Sequence, residues 1–331
     1  MDLLVEDAII KNNTEVLKEK LRTSSFHSSK VPLFIFVCGK QILGCEGEPE
    51  ENLLDEGNKR GLIVEAIKEL SSKRPIFSIV AEQLLSVELA QKDSLTFEGL
   101  IADLSDEIVL IIESPGTICE LGAFSFSNKI NKKIFVLNDL KYEKDNSFIN
   151  RGPIKKLSGI NPNNVHYVDY NMDWKNITVL QDYYNRVKNI KREYAVGTFE
   201  NDIYNINIKD LIIEILAIIE IYQPIVDEHV HQLYKFLKGK YKIKSDIEIK
   251  NVKQVVELLC EIGILQNGED GVRKNYRSFP CASCVFDLSE EQINNIRAKI
   301  LCRIRRKTNR RFKNNILPFR SRWKYMCSSR W

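Results

Sequence analysis

The sequence predicts an α/β protein: a doubly wound parallel sheet followed by a mainly helical winged helix-turn-helix unit. Three observations carry this. Short unbroken apolar runs alternate with stretches of helical periodicity between Val31 and Leu137. A Gly turn joins a strand end to a helix start at Ile112–Phe124, and beyond residue 200 helices lead into a Gly-rich hairpin.

Taken in order, an amphipathic helix over about residues 3–22 opens the chain, and Val31–Cys38 (VPLFIFVC) is a buried strand that ends on Gly39. A polar, Gly-containing stretch (Lys40–Asn58) precedes a helix around Arg60–Leu70 and a second apolar run, Pro75–Val80. A helix at about Ser94–Leu104, the strand Glu107–Ile112, a helix opening near Thr117 and the strand Lys133–Leu137 continue the alternation. The polar, Asn-rich stretch from Asn150 to about Asn205 reads as a peripheral loop and a connecting helix. Helices at about 207–221 and 224–238 follow, then an amphipathic segment carrying Val252, Val255, Val256, Leu259 and Cys260. Gly263-Ile-Leu-Gln, Asn267-Gly268-Glu-Asp-Gly271 and Val272–Tyr276 complete the pattern as a hairpin. Three units are expected: 1–200, 201–296 and a basic aromatic tail, 297–331.

With 49 Lys+Arg, 45 Asp+Glu, 44% hydrophobic residues, 15 Gly and 9 Pro in 331 residues, collagenous, low-complexity and largely disordered classes are excluded. The most apolar long segment, Leu211–Tyr222, carries Glu214 and Glu220 and reads as a buried helix, so no membrane span is expected. The N-terminus mixes charges with apolar residues, unlike a signal peptide, and the expected location is the cytoplasm. The eight cysteines are then expected to be reduced. Cys281 and Cys284 have ligand spacing, but no second pair accompanies them, and no metal is expected. His229 and His231, two apart, would face different sides of a helix and make a poor metal pair.

Charge is distributed unevenly. Residues 297–331 hold 13 basic and no acidic residues, whereas the first 296 carry a net charge of −9. Phe312, Phe319, Trp323, Tyr325 and Trp331 are interleaved with the basic residues, the composition wanted for phosphate contacts and base stacking. Arg303, Arg305, Arg306, Arg310, Arg311 and Lys313 are the candidate contacts to nucleic acid or to a nucleic-acid-bearing partner. The other reading is a solvated tail, or one folded on the protein's own acidic surface.

The chemistry-bearing string is Ile112-Glu-Ser-Pro-Gly-Thr-Ile-Cys-Glu-Leu-Gly-Ala-Phe124. Amides of Gly116 and Thr117 at a helix N-terminus favour an anion, and Glu120, one turn in, could stand beside a sugar whose phosphate they hold. Thr117-x-x-Glu120 is also a capping box, and the tetrapeptide alone favours that role. Cys119, with no His partner evident, reads as a buried apolar residue rather than a nucleophile.

Gly-Thr-x-x-Glu-x-Gly at this point of a doubly wound sheet resembles the nucleoside 2-deoxyribosyltransferases, with a related signature in nucleotide phosphoribohydrolases. More specifically, the chain resembles retron effector proteins, which join a deoxyribosyltransferase-like domain to a winged helix. The resemblance rests on Phe36-Val-Cys-Gly39, Ala81-Glu-Gln-Leu-Leu85, Glu113–Ser125 and Ser147–Leu157, and extends to Gly263–Gln266 and Asp270-Gly271. It implies that Glu120 is the nucleophile at an anomeric carbon, that Gly39 belongs to the first phosphate or ribose loop, and that Ser114, Gly116 and Thr117 form the second. It places Glu82 and Glu98 at the sugar or base, with Asn150 and Gly152 closing the site. Ser114 stands where the transferases carry aspartate, with Glu113 beside it, so exchange on deoxyribose is not implied.

The implied role is that of a toxic anti-phage effector: an N-glycosidase of a nucleotide, NAD among the targets, needing no cofactor or metal. It would be restrained by a reverse transcriptase and its multicopy single-stranded DNA, in a complex that includes homo-oligomers or higher assemblies. A salvage transferase or phosphoribohydrolase and a non-enzymatic nucleotide-sensing regulator are the alternative readings.

Overall fold

The computed structural model describes residues 7–28, 31–40, 58–70, 76–80, 94–172, 178–190, 192–244, 249–268, 271–274 and 281–312. In chain order these form α1 (Ala8–Glu19), β1 (Phe26–Ser28), β2 (Leu33–Cys38), α2 (Lys59–Leu70), β3 (Ile76–Ile79), α3 (Ser94–Leu104), β4 (Glu107–Ile111), α4 (Pro115–Phe126), β5 (Ile134–Asp139) and α5 (Lys155–Ile160). The chain continues through β6 (Val165–Val168), α6 (Thr178–Asn189), β7 (Arg192–Tyr194), β8 (Thr198–Glu200), β9 (Ile203–Asn207), α7 (Ile208–Tyr222), α8 (Asp227–Lys238) and β10 (Lys240–Lys244). It ends in α9 (Val252–Glu261), β11 (Leu265–Gly268), β12 (Gly271–Lys274), α10 (Cys281–Val285) and α11 (Glu290–Phe312).

Five strands pair in parallel in the order β3-β2-β4-β5-β6. Both faces are covered, which explains the unbroken apolar runs. Along β2, Phe34, Phe36 and Cys38 enter one core with α3 and α4, while Leu33, Ile35 and Val37 enter the other with Leu62, Ile63 and Ile67 of α2 and Leu180, Tyr183 and Val187 of α6. Each such side chain contributes about 1.5–3 kcal/mol on burial. The chain leaves β2 for β3 on one side and returns to β4 on the other. Their carboxyl ends therefore part around a crevice, the place where sheets of this kind hold ligands.

The strand β6 is a departure from expectation. Its residues Val165–Tyr167 are only half-buried at the sheet edge, so the stretch from Asn150 lacks the apolar signature of a covered strand.

Beyond residue 207, α7 is buried almost end to end and packs against α8, α9, α10 and α11. The helices α8 and α9 and the hairpin β11–β12 form the winged arrangement, and Ile225 makes an isolated antiparallel bridge to Val272. Gly271 has a φ of 119°, and a Cβ there would lie 2.6 Å from the Ile225 backbone, so only glycine fits. A second sheet, ordered β10-β9-β8, precedes and flanks α7.

One core runs from the α3/α4 face of the sheet into these helices. The N-terminal helix belongs with them: α1 packs on α11 and α8, and the Thr14 and Tyr222 hydroxyls lie 2.6 Å apart. The basic C-terminal segment does not begin as a tail. Residues 290–312 are one helix whose Ile296 and Ile300 are buried, so 297–303 is packed structure. Cys281 and Cys284 are buried in α10 against α7. No described helix is long and apolar enough to cross a membrane.

Candidate functional site

The helix α4 starts two residues earlier than its sequence suggests. Ser114 is the N-cap and Pro115 sits at N1, where its missing N–H is no loss. The Ser114 Oγ accepts from the Thr117 amide at 3.3 Å, and the Thr117 Oγ1 accepts from the Ser114 amide at 3.1 Å. The capping box is therefore Ser114 with Thr117, not Thr117 with Glu120. This corrects the reading that the tetrapeptide favours, and releases Glu120 from a capping role. It also takes the Thr117 amide, and its side chain is buried, so of the two amides expected to cradle a phosphate, Gly116's remains exposed. Glu120 now lies beyond the first turn, where the dipole's field has largely fallen off.

The Glu120 side chain, half-buried, lies against the carboxyl end of β2. It accepts a hydrogen bond from the thiol of Cys38, the last residue of β2, and Glu98 of α3 lies near enough to act on the same thiol. Burial first, then the two carboxylates, push the Cys38 thiol well above its usual range, while Arg60 opposes them. Cys38 is thus a neutral donor aimed at a carboxylate. Cys119, by contrast, is exposed, which corrects the expectation that it is buried. From residue 119 to 120 the helix turns by about 100°, enough to separate solvent from crevice.

Gly39 and the Glu113–Thr117 loop meet as the sheet topology requires. The Lys40 amide donates to Glu113 Oε1 at 2.9 Å, and Lys59 Nζ lies 3.6 Å from Glu113 Oε2. Arg60, fully buried, donates to the carbonyls of Val37, Gly39 and Lys40 at 3.1, 3.2 and 3.4 Å. A Cβ on Gly39 would press on the Arg60 side chain at 3.1 Å. Glu113, Lys59, Arg60 and Cys38 therefore meet around the carboxyl end of β2; of these the sequence reading considered Glu113, as an approximate substitute for the aspartate of the transferases, and gave Lys59, Arg60 and Cys38 no role of their own. Only Glu113, adjacent to the motif, carried a local signal.

A cavity of about 500 Å³ opens at the carboxyl ends of β4 and β5, and Glu113 lines it too. Ser114, Ile118, Asn138, Asp139 and Asn150 line it, together with Tyr170, whose hydroxyl donates to the Leu137 carbonyl at 2.8 Å. Asn150 also ties its own loop, donating to the carbonyls of Tyr142 and Asp145 at 2.6 and 2.9 Å. Gly152 packs under the exposed Phe148 ring. Ser114 and Asn150 thus share a cavity with Glu113, whereas Glu120 and Glu98 both act on Cys38, the residue before Gly39. Glu82 lies outside the described residues, as do the segments 41–57 and 81–93 that follow β2 and β3 in sequence.

Of the candidate nucleic-acid contacts, Arg303 lies 3.9 Å from Asp7 of the N-terminal helix cap. Arg305, Arg306, Arg310 and Arg311 fall on α11, and Lys313 lies outside the described residues.

Fold and crevice together define an α/β protein with a carboxylate at a topological switch point, continued by a winged-helix unit. Residues 56–267 match the model of the STM3845 retron effector protein family, and the chain belongs to that family. It is similar to the putative ribosyltransferase/DNA-binding protein of retron Ec73 from Escherichia coli, at 28% identity over 205 residues, which is 59% of either chain. It is also similar to the corresponding protein of retron Ec86 from the same organism, at 39% identity over 75 residues, 23% of this chain and 24% of that one.

Proposed function

We propose that this retron effector cleaves the N-glycosidic bond of a nucleotide, NAD among the candidates, with Glu120 as nucleophile. The observation that supports the reading is the position of Glu120: relieved of capping, and hydrogen-bonded to the Cys38 thiol at the carboxyl end of β2, beside the switch point.

N-glycosidic cleavage passes through a cationic, oxocarbenium-like sugar, which a carboxylate on one face stabilises. The Glu120 carboxylate attacks the anomeric carbon as the bond to the base nitrogen breaks, and the base departs with the bonding pair: a purine or pyrimidine takes up a proton as it leaves, whereas the pyridinium of NAD leaves as neutral nicotinamide without one. Water then attacks the anomeric carbon of the glycosyl ester, restoring the carboxylate and releasing the sugar. Glu98 stands close enough to serve the sugar or the departing base, and the Gly116 amide is placed for an anionic group of the substrate.

In the cell, we assign the protein the role of a toxic effector held inactive by the retron's reverse transcriptase and its multicopy single-stranded DNA. The ribosyltransferase and DNA-binding names of its relatives support this pairing of a catalytic and a nucleic-acid-facing half. The test is nucleotide profiling of cells after induction of wild type and Glu120→Gln, with circular dichroism of the purified proteins. The Gln variant is expected to stay folded and lose both cleavage and toxicity. Full activity in a folded Gln variant would remove Glu120 from the chemistry.

A further inference from the structure

The strand β10 reads Lys-Tyr-Lys-Ile-Lys, and its exposure alternates strictly: Lys240, Lys242 and Lys244 are exposed while Tyr241 and Ile243 are partly covered. It pairs on one side with β9, in register Lys240↔Ile203 to Lys244↔Asn207, and forms the edge of its sheet on the other. Three ammonium groups therefore stand on one face of a straight edge strand, about 6.6 Å apart. That spacing is comparable with the separation of successive phosphates along an extended nucleic-acid strand. Among the described residues, neither Lys240 nor Lys242 has an acidic partner, and Lys244 reaches Glu200 only at 3.6 Å with both groups more than half exposed. Such a pair is screened and readily exchanged for a phosphate.

The helix that a winged-helix protein ordinarily lays in the major groove is unsuited to the same task. Around its outer side α9 presents Lys253, Glu257 and Glu261, and Lys253 is already paired with Glu228 of α8. Two acidic residues to one basic is the reverse of the composition that a helix entering the major groove needs against phosphates.

We propose that β10, and not α9, holds the nucleic acid: a single strand lies along the sheet edge, with one phosphate at each of Lys240, Lys242 and Lys244. This names a contact for the nucleic-acid partner of the reading above, yet it stands on the strand's own geometry and does not require the glycosidase. Lysines on an edge strand also discourage pairing with another chain. That role predicts aggregation on substitution, with no change in nucleic-acid affinity.

The experiment uses the full chain and a fluorescein-labelled 20-mer of thymidine, read by anisotropy between about 50 and 200 mM salt. Three phosphates on a single strand account for a log-log salt slope of about −2, which at 0.1 M salt is about a hundredfold in affinity. Lys240→Gln/Lys242→Gln/Lys244→Gln should flatten the slope by that amount. The corresponding triple Arg variant should keep it, and Glu257→Lys on α9 should change affinity less than twofold. An unchanged slope in the Gln variant, a matching loss in the Arg variant, or a tenfold gain from Glu257→Lys would each overturn the proposal. Failure here leaves the Glu120→Gln test untouched, and failure of that test leaves the salt slope untouched.

Discussion

Lys238→Met should destabilise the protein more than any surface substitution, because of what it would strand. Glu214, in the buried helix α7, is 1% exposed. Its Oε1 receives Tyr194 Oη at 2.8 Å, Tyr204 Oη at 2.9 Å and Lys238 Nζ at 2.8 Å, and its Oε2 receives Tyr234 Oη at 2.7 Å. These groups come from β7, β9, α7 and α8, so one carboxylate ties the end of the α/β half to the winged half. Lys238 is the cation at hydrogen-bond distance among the described residues, and removing it leaves a buried charge held by three neutral donors, a loss of about 3–5 kcal/mol. Against a typical total stability of about 5–15 kcal/mol this is a large fraction. Tyr204→Phe removes the bond donated to Glu214 and those the hydroxyl accepts from the Gly197 amide at 2.9 Å and Lys238 Nζ at 3.1 Å, and should cost at least about 1.5–3 kcal/mol. The assay is urea unfolding followed by both circular dichroism and fluorescence, on Lys238→Met, Glu214→Gln and the pair. Because Glu214→Gln leaves no charge to strand, the double variant should be more stable than the sum of the singles by at least about 2 kcal/mol. A loss below about 1 kcal/mol for Lys238→Met, or simple additivity, would refute the account.

Gly116→Val tests the remaining first-turn amide: a Cβ there meets nothing nearer than Ser114 Oγ at 3.7 Å, so the fold should survive while substrate cleavage falls. Unchanged kinetics would place the ligand elsewhere. For the basic segment, truncation belongs after residue 312, since 297–303 is packed. Removing 313–331 should reduce the salt dependence of co-purification with reverse transcriptase and its DNA while sparing the glycosidase, and unaltered retention would make those residues a solvated extension. Glu107 offers a pH signature. Burial pushes its carboxyl from the usual 4.5 up to about 7, although Arg186 Nε lies 2.6 Å away. The native protein thus holds a proton that the unfolded chain releases above 4.5, and this contribution to stability is complete below 4.5 and lost as pH rises through 7. Glu107→Gln should flatten the thermal-stability profile between about pH 5 and 8, and an unaltered profile would mean the ion pair keeps Glu107 charged.

What could be read from sequence followed from how completely each element is covered. VPLFIFVC announces β2 because both its faces are buried, and Leu211–Tyr222 announces α7 for the same reason. Val-His-Tyr-Val is silent because β6 is a half-buried edge strand. At the site, the strand-turn-helix was visible but its register was not: Thr117 and Glu120 have capping-box spacing, and so do Ser114 and Thr117 by side-chain and backbone geometry. Pro115 was the available arbiter, since proline is favoured at N1 and marks the preceding serine as the cap. Arg60 left no local trace, and Cys38 showed only as part of Phe36-Val-Cys-Gly39. Their roles exist only once β2 and α2 pack, when a guanidinium from one reaches three carbonyls at the end of the other.

The placement of the lysine strand constrains how the proposed restraint by a partner could work. Lys244 opens onto a cavity of about 810 Å³ that is also lined by Asp106, Lys133 and Lys209. Asp106 and Lys133 immediately precede β4 and β5, so that groove lies at the amino ends of the parallel strands. There the Asp106 carboxylate joins the sheet to α7, accepting from the Phe34 amide at 2.9 Å and from Lys209 Nζ at 3.2 Å. Cys38 and the Glu120 crevice lie at the carboxyl ends, the length of a strand away, about 17–20 Å. A nucleic-acid strand seated along β10 would therefore not itself cover Glu120. On the proposed function, restraint would have to come from the protein bound to that strand, or from an assembly that the strand organises. The lysine variants separate the two ends of the molecule: as free protein they should cleave nucleotide like wild type, because no substituted group approaches the crevice, while their capture by the nucleoprotein weakens. Loss of both properties together, in variants that unfold at the wild-type temperature, would place the substrate and the nucleic acid on the same end of the sheet.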